Sequence, residues 1–325
     1  MQWLACFGIL LTAFPGWAEN RVRLAVGSKP GNLVYLQLDL ARTLGYFAGE
    51  GLLVDYQYFQ GGTSAADALA LGKADFSGNS IDHAIELRER GSDLRMIASF
   101  TNLPTVTLVV RRDLRPRMRT LQDLKGARLG VTALGAGTHV LATWILKKAG
   151  YQPNDVKMVP VGAGQSLIDA LREKRIDAAM ATDPATTELL MSGQASILLD
   201  MVTYDETQRV FTGGYQFTGL LTRPDVVLQH PDWAQRMVNA IVKADRFIAT
   251  HSAAEISAAL GQNSFIFVKS LEHSRPAFSK DGRVTADAVR NNIQSQITFG
   301  SVKASAHMDP ASFFDMRFVE RAAGR

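Results

Sequence analysis

The chain states one pattern twice. Gly62, Ser64, Asp67, Ala68, Leu69 and Asp75 recur in the same order as Gly164, Ser166, Asp169, Ala170, Leu171 and Asp177, six identities in fourteen positions at a constant offset of 102. Each copy follows a strand-like run (residues 54–59 and 156–161), turns on glycine, and opens a short Ala/Leu helix. Thr63 or Ser64, and Ser166, stand in N-cap reach of those helices. Each copy then ends in a small-residue strand beginning after Asp75 or Asp177. Such a β-turn-α-β unit gathers hydroxyls and backbone N–H groups at a helix N-terminus, where anions and other polar groups can be held. A chain that contains the unit twice is constrained toward two related α/β halves.

Composition fits that plan: 325 residues, 46% hydrophobic and 20% charged, suffice for two lobes with separate cores. Residues 4–17 are apolar and uncharged and end in Gly16-Trp17-Ala18 before Glu19, the small-x-small pattern of a secretory signal peptide. No Lys or Arg precedes the run, which departs from the usual basic start of such leaders. The run is too short to span a bilayer as a permanent helix. Cys6, the only cysteine, lies inside it, so a chain cleaved after Ala18 has no disulfide, thiol nucleophile or Cys metal ligand. The net charge of +4 is too small and dispersed to argue for nucleic acid.

In chain order, strands and helices alternate as in a mostly parallel sheet covered on both faces. A strand over residues 21–26 gives way to turn residues 27–32 and a helix over 33–44 closed by Gly45. The pattern restarts at residues 128–132, and a helix over 139–149 is closed by Gly150. Between the halves, residues 111–119 hold five arginines with no interleaved aromatic residue, which reads as a solvated connection. Residues 217–222 read as a returning strand and 231–250 as an amphipathic helix. These boundaries predict a signal peptide at 1–18, lobe one at 19–110 plus 218–325, and lobe two at 111–217.

Several strings carry a family resemblance: Leu44-Gly45-Tyr46-Phe47 with Glu50-Gly51-Leu52, Gly61-Gly62 through Ala74-Asp75-Phe76, and Leu121-Gln122-Asp123-Leu124-Lys125-Gly126 before Leu129-Gly130-Val131. Thr182-Asp183-Pro184-Ala185, and Met308-Asp309-Pro310 to Phe318-Val319, complete the set. In this order the chain resembles periplasmic substrate-binding proteins of ABC importers in the nitrate/sulfonate/taurine group, whose fold is shared by pyrimidine-precursor-binding proteins. The resemblance implies an α/β, two-lobed periplasmic-binding-protein fold with two crossovers, and a cleft that closes on a small molecule. It also implies an inner-membrane permease as partner and residence in the periplasm. We expect a monomer without a cofactor.

Ligands of open α/β sheets bind beyond the carboxyl ends of the strands. Candidate contacts from lobe one are therefore Ser28 and Asn32, Thr63 and Ser64, Asn79 and Ser80, and Thr101 and Asn102. From lobe two they are Gly137, Thr138 and His139, Gln165 and Ser166, Asp183, and Tyr215. Each hydroxyl or amide could equally cap a helix or close a turn. His139 has no second metal ligand at i+4. Tyr215, after Gly213-Gly214, and Phe100 are expected stacking faces, and Lys29 is the one cation in the candidate loops. Serine, threonine and glycine at helix starts favour a sulfonate or carboxylate ligand; a neutral heteroaromatic could use the same amides.

An enzyme and a regulator's effector domain are the rival classes. Asp67, Asp75, Asp169 and Asp177 look like paired carboxylates, but the duplication accounts for them as strand and helix ends. The related fold includes a pyrimidine synthase with a cysteine-rich motif and a cofactor lysine, which this sequence does not match. Neither a Gly-x-Ser-x-Gly elbow, a P-loop nor His-Glu-x-x-His occurs. The apolar leader and the lack of a helix-turn-helix argue against a regulator.

Overall fold

The computed structural model describes residues 20–303 and 308–324; the leader expected at 1–18 lies outside them. Ten strands occur among the described residues: β1 (Arg21–Val26), β2 (Leu53–Tyr58), β3 (Phe76–Ser80), β4 (Arg95–Ser99), β5 (Thr107–Arg111), β6 (Arg128–Val131), β7 (Lys157–Pro160), β8 (Ala178–Ala181), β9 (Ala195–Asp200) and β10 (Thr218–Thr222). They form two sheets, ordered β2-β1-β3-β10-β4 and β7-β6-β8-β5-β9. In both, the first three strands are mutually parallel, and one strand, β10 or β5, runs antiparallel to both neighbours. Each odd strand is the one that follows a crossover: a chain arriving from the other lobe enters at the opposite end and must run against its neighbours. The arrangement is the two-lobed periplasmic-binding-protein fold.

Two sequence expectations shift. Lobe one does not extend to residue 110: β5 pairs with β8 and β9 in the second sheet, so the first crossover precedes it. A β-branched run specifies a strand but not its partner. Strand β9 was not anticipated; it lies at a sheet edge with Ile197 exposed, and lacks strict alternation.

Hydrogen bonding repeats where the side chains do not. Helix Gly62–Ala70 ends with the N–H groups of Lys73 and Ala74 both donating to Ala68 O, and helix Gln165–Arg172 with those of Arg175 and Ile176 donating to Ala170 O. Gly72 and Lys174, 102 residues apart, both adopt left-handed backbone, φ 72° and 58°. Asp75 accepts from Arg23 N, Nε and Nη2 at 2.8, 3.1 and 2.6 Å. Asp177 accepts from the same atoms of Arg128 at 3.0, 2.9 and 2.7 Å. These carboxylates tie each first strand to its third; the Arg128 hydrogen bonds, outweighing burial, hold the Asp177 carboxyl below its usual range. They are structural ties, in keeping with the duplication.

Beyond β10 the chain straddles both lobes. Helix Pro231–Thr250 packs on helix Leu36–Thr43 of lobe one, helix Phe265–Ser274 on helix Ala185–Met191 of lobe two, and helix Ala286–Phe299 on Ile81–Glu89 of lobe one and Gly137–Lys148 of lobe two. Buried apolar side chains fill the space under each sheet, Leu24, Phe76 and Ile97 in the first and Leu129, Val109 and Ala179 in the second. The 111–119 arginines follow β5 within lobe two and do not connect the lobes; Arg111, mostly buried, meets Asp113 and Asp177, and Arg112 on the surface donates to Ser196. No described helix is long and apolar enough to cross a membrane.

Candidate functional site

The carboxyl ends of the parallel strands of both sheets face one cleft of about 890 Å³. One wall is the turn after β1 (residues 27–32) and the end of β2 with the turn beyond it (58–60); the other is Thr132, residues 161–166 and 182–184. A smaller chamber of about 60 Å³ continues inward, where Gly62, Asn79 and Ser80 of lobe one face Gly137 and Thr138 of lobe two. The lobes touch here: a Cβ on Gly137 would lie 2.9 Å from Phe217, and Leu33 N donates to Asp183 O at 3.4 Å. The starts of helices Gly62–Ala70 and Gly137–Lys148 both reach this chamber; their first N–H groups have no carbonyl partner within their own helix.

The candidate residues separate into three groups. Ser28, Asn32, Gln165, Ser166 and Asp183 line the cleft, and Asn79, Ser80, Gly137 and Thr138 the inner chamber, which Ser28 and Asn32 also reach. Most of their polar atoms already serve the turns. Asn32 Oδ1 accepts from Val34 N, Asn79 Nδ2 donates to Gly62 O at 2.8 Å, and Thr138 Oγ1 accepts from Thr132 N at 3.0 Å. Gln165 Nε2 donates to Asp169, and the Ser166 hydroxyl to Ala163 O. Thr63 and Ser64 start their helix outside both linings; Thr63 Oγ1 is buried without a hydrogen-bond partner, and Ser64 faces solvent.

The third group lies away from the cavity. Thr101 is fully buried in the first crossover against Thr218, Oγ1 to Oγ1 at 2.8 Å, and Asn102 is exposed beside it, accepting from Ser99. His139 Nδ1 accepts from Gly135 N at 2.9 Å and its ring packs on Phe299, so it closes the β6 turn; burial lowers its pKa. Tyr215 is wholly buried and donates to Asp82 at 3.0 Å, with Ser295 beside it. Phe100 is also wholly buried. Neither can serve as a stacking platform: helix Ala286–Phe299 covers the loop that carries Tyr215, and Phe100 packs into the lobe-one core beside Gly78.

Aromatic surface comes instead from Tyr58 and Phe59 in the cleft wall; the Tyr58 hydroxyl accepts from Arg42 at 2.8 Å. Sequence reasoning missed these two, Thr132 and Thr182, and residues 161–164. All lie at or just beyond the carboxyl ends of strands. It also missed Tyr35 and His83, which approach the chamber from helical turns.

Two cleft-lining residues carry a formal charge, Lys29 and Asp183. Asp183 is compensated. Oδ1 accepts from Thr187 N and Oγ1, and Oδ2 from His273 Nδ1 at 2.6 Å and Ser274 Oγ at 2.7 Å. His273 Nε2 meets Asp200 Oδ2 at 2.9 Å. Burial would lower the His273 pKa, but the hydrogen bonds and charges of the two carboxylates override it, pushing the value up to about 10. A charged imidazolium, shared with Asp200, therefore stands against Asp183, and Lys29 is the charged residue of the cleft lining with no ion-pair partner among the described residues. No group of three or more His, Cys, Asp or Glu side chains among the described residues is arranged to hold a metal ion.

A family model described as NMT1/THI5 like matches residues 33–254, about two-thirds of the chain. The chain belongs to the NMT1/THI5-like family. No curated protein matches it in sequence. Among solved structures, a protein of Bordetella bronchiseptica RB50 is 31% identical, with TM-score 0.87, over 94% of this chain and 97% of that one. The alkanesulfonate-binding protein SsuA of Xanthomonas axonopodis pv. citri, bound to MOPS, matches at 19% identity and TM-score 0.71 over 91% and 98%. The periplasmic nitrate-binding protein NrtA of Synechocystis PCC 6803 matches at 12% and 0.77 over 94% and 88%. These last two share the fold. So does an enzyme, the desulfurization enzyme DszB, at 18% identity and TM-score 0.63 over 94% and 99%.

Proposed function

We propose that the protein is the solute-binding component of an ABC importer, and that it takes a small organic anion, sulfonate or carboxylate, into the interlobe cleft. The carrying observation is electrostatic: the cleft lining presents Lys29 and the inner chamber two helix starts, while the one cleft carboxylate, Asp183, is bound from behind by His273 and Ser274. A helix start contributes roughly 0.3–1 kcal/mol to a nearby anion, and more where water is excluded. Size supports an organic ligand over nitrate. A cleft of about 890 Å³ lies in the range of sites for drug-sized molecules, and a four-atom anion would leave most of it to water. Tyr58, Phe59 and Val161 supply apolar surface for a hydrocarbon or aromatic body. The names of SsuA and NrtA agree with an anionic solute. The leader pattern supports export to the periplasm, where such a component hands its solute to a permease.

Thermal-shift screening followed by calorimetric titration tests the reading. The panel is alkyl and aryl sulfonates, aromatic carboxylates, nitrate, bicarbonate and neutral pyrimidines. A ligand at a hundredfold excess over its Kd stabilises the native state by about 2.7 kcal/mol. Organic anions are expected to raise the melting temperature and to be recovered unchanged. Tight binding of a neutral pyrimidine with no response to anions would overturn the charge assignment, and turnover of any panel member would favour an enzyme.

A further inference from the structure

The inner chamber holds a polar group that the fold itself does not use. Tyr35 is only 8% exposed and lines the chamber, yet its hydroxyl has no hydrogen-bond partner among the described residues. Its ring has a built seat: β3 carries Gly78 beneath it, where a Cβ would lie 3.5 Å from Tyr35 Cδ1 and 2.5 Å from Leu38 Cδ1. The hydroxyl lies 2.9 Å from the place a Cβ on Gly27 would take, and Gly62 N lies 2.9 Å from the same place. Glycine at 27 thus keeps open the point on which a phenolic O–H and the first N–H of helix Gly62–Ala70 converge. A hydroxyl that the fold leaves without a protein partner and that opens onto a cavity is placed to donate to an acceptor held there.

The chamber offers a few free donors, although two of its hydroxyls have their protons committed elsewhere. No carboxylate lines it. The Ser80 hydroxyl donates to Asp82 and that of Thr218 to Val34 O. Thr138 Oγ1 already accepts from Thr132 N, which leaves its proton free to donate. His83 brings Nε2 to the wall, an N–H donor when the ring is protonated, with Nδ1 3.9 Å from Glu86. A volume of about 60 Å³ holds roughly four to six water-sized groups, enough for the head of a sulfonate or carboxylate, with the body left in the outer cleft beside Tyr58 and Phe59.

Resting on the anion reading above, we propose that Tyr35 is the specificity-determining donor of an oxyanion-head subsite: its O–H, together with the Gly62 N–H, binds the ligand's charged oxygens in the inner chamber. The test is calorimetric titration of the parent and Tyr35→Phe with benzenesulfonate, and with neutral benzenesulfonamide as the control. Tyr35→Phe should bind benzenesulfonate about 10- to 100-fold more weakly, as expected for losing a hydrogen bond to a charged group. Binding of the sulfonamide should change much less. The ligand-free variant should melt at or above the parent temperature, because no protein hydrogen bond is lost. If the parent binds benzenesulfonate and Tyr35→Phe binds it equally well, the subsite is wrong while the anion reading stands. An equal loss for both ligands, with a lower melting temperature, makes Tyr35 a packing residue and overturns the proposal. A parent that binds neither benzenesulfonate nor propanesulfonate overturns the anion reading, and the subsite with it.

Discussion

His273 joins the C-terminal segment to lobe two, and replacing it by glutamine should remove a pH-dependent part of the stability. Its ring is held between Asp183, at 2.6 Å, and Asp200, at 2.9 Å, with side-chain exposures of 23% for the imidazole and 1% and 21% for the carboxylates. The other polar neighbours are Ser274 and Thr187 on Asp183 and Thr107 on Asp200. The folded pKa of about 10 lies above the unfolded value of 6.5, so the stabilisation is complete below pH 6.5 and lost as pH rises toward 10. At 1.36 kcal/mol per pH unit the rise corresponds to at most about 5 kcal/mol. With the ring partly exposed, and water screening the pair, about 1–3 kcal/mol is expected. At the acid end Asp200 behaves oppositely. Burial would raise its pKa, but the His273 hydrogen bond and charge lower it, so its share is present above its usual pKa and fades as pH falls through the depressed value. Urea unfolding followed by circular dichroism at pH 6, 8 and 10 should show His273→Gln less stable than the parent by about 1–3 kcal/mol at pH 6, the gap narrowing to a few tenths at pH 10. A gap that stays constant from pH 6 to pH 10 would refute the reasoning, since a packing defect does not titrate.

Two further outcomes follow from the repeat and the leader. Lys174 is exposed and holds the left-handed conformation that Gly72 holds in the first copy, so Lys174→Gly should raise the urea-derived stability by about 0.5–1 kcal/mol; a decrease would show that the lysine side chain contributes more than its backbone strain removes. Protein from a periplasmic extract should begin near Glu19 on N-terminal sequencing, and a chain that begins at Met1 would dismiss the cleavage pattern at Gly16-Trp17-Ala18.

The repeat made the architecture readable because its signals are local. A glycine turn, a capping hydroxyl and an Asp at the next strand's start act within about twenty residues, and the same unit placed twice implies two similar halves. The strand-end rule then brought Ser28, Asn32, Asn79, Ser80, Gly137, Thr138, Gln165, Ser166 and Asp183 to the cavity walls. The same rule covers Tyr58 and Phe59, at the end of β2, which sequence reasoning passed over. Asp75 and Asp177 could be read as structural from their duplication, although their arginine partners, roughly fifty residues away, could not.

Sequence alone determined two α/β units with donor-rich helix starts, since those depend on neighbours along the chain. Tertiary structure decided which polar groups face the cavity. Tyr215 and Tyr35 are both tyrosines in or beside turn-rich segments, yet helix Ala286–Phe299 and Asp82 enclose and satisfy the first, while a gap at Gly27 and Gly62 leaves the second unpaired. The environment of Asp183 depends on tertiary structure in the same way. Asp183 carries a negative charge at the wall, but His273, ninety residues on, arrives on a helix from beyond the last strand and, with Ser274, binds its Oδ2 oxygen, because a buried carboxylate is tolerated when charged or hydrogen-bonding donors are packed against it.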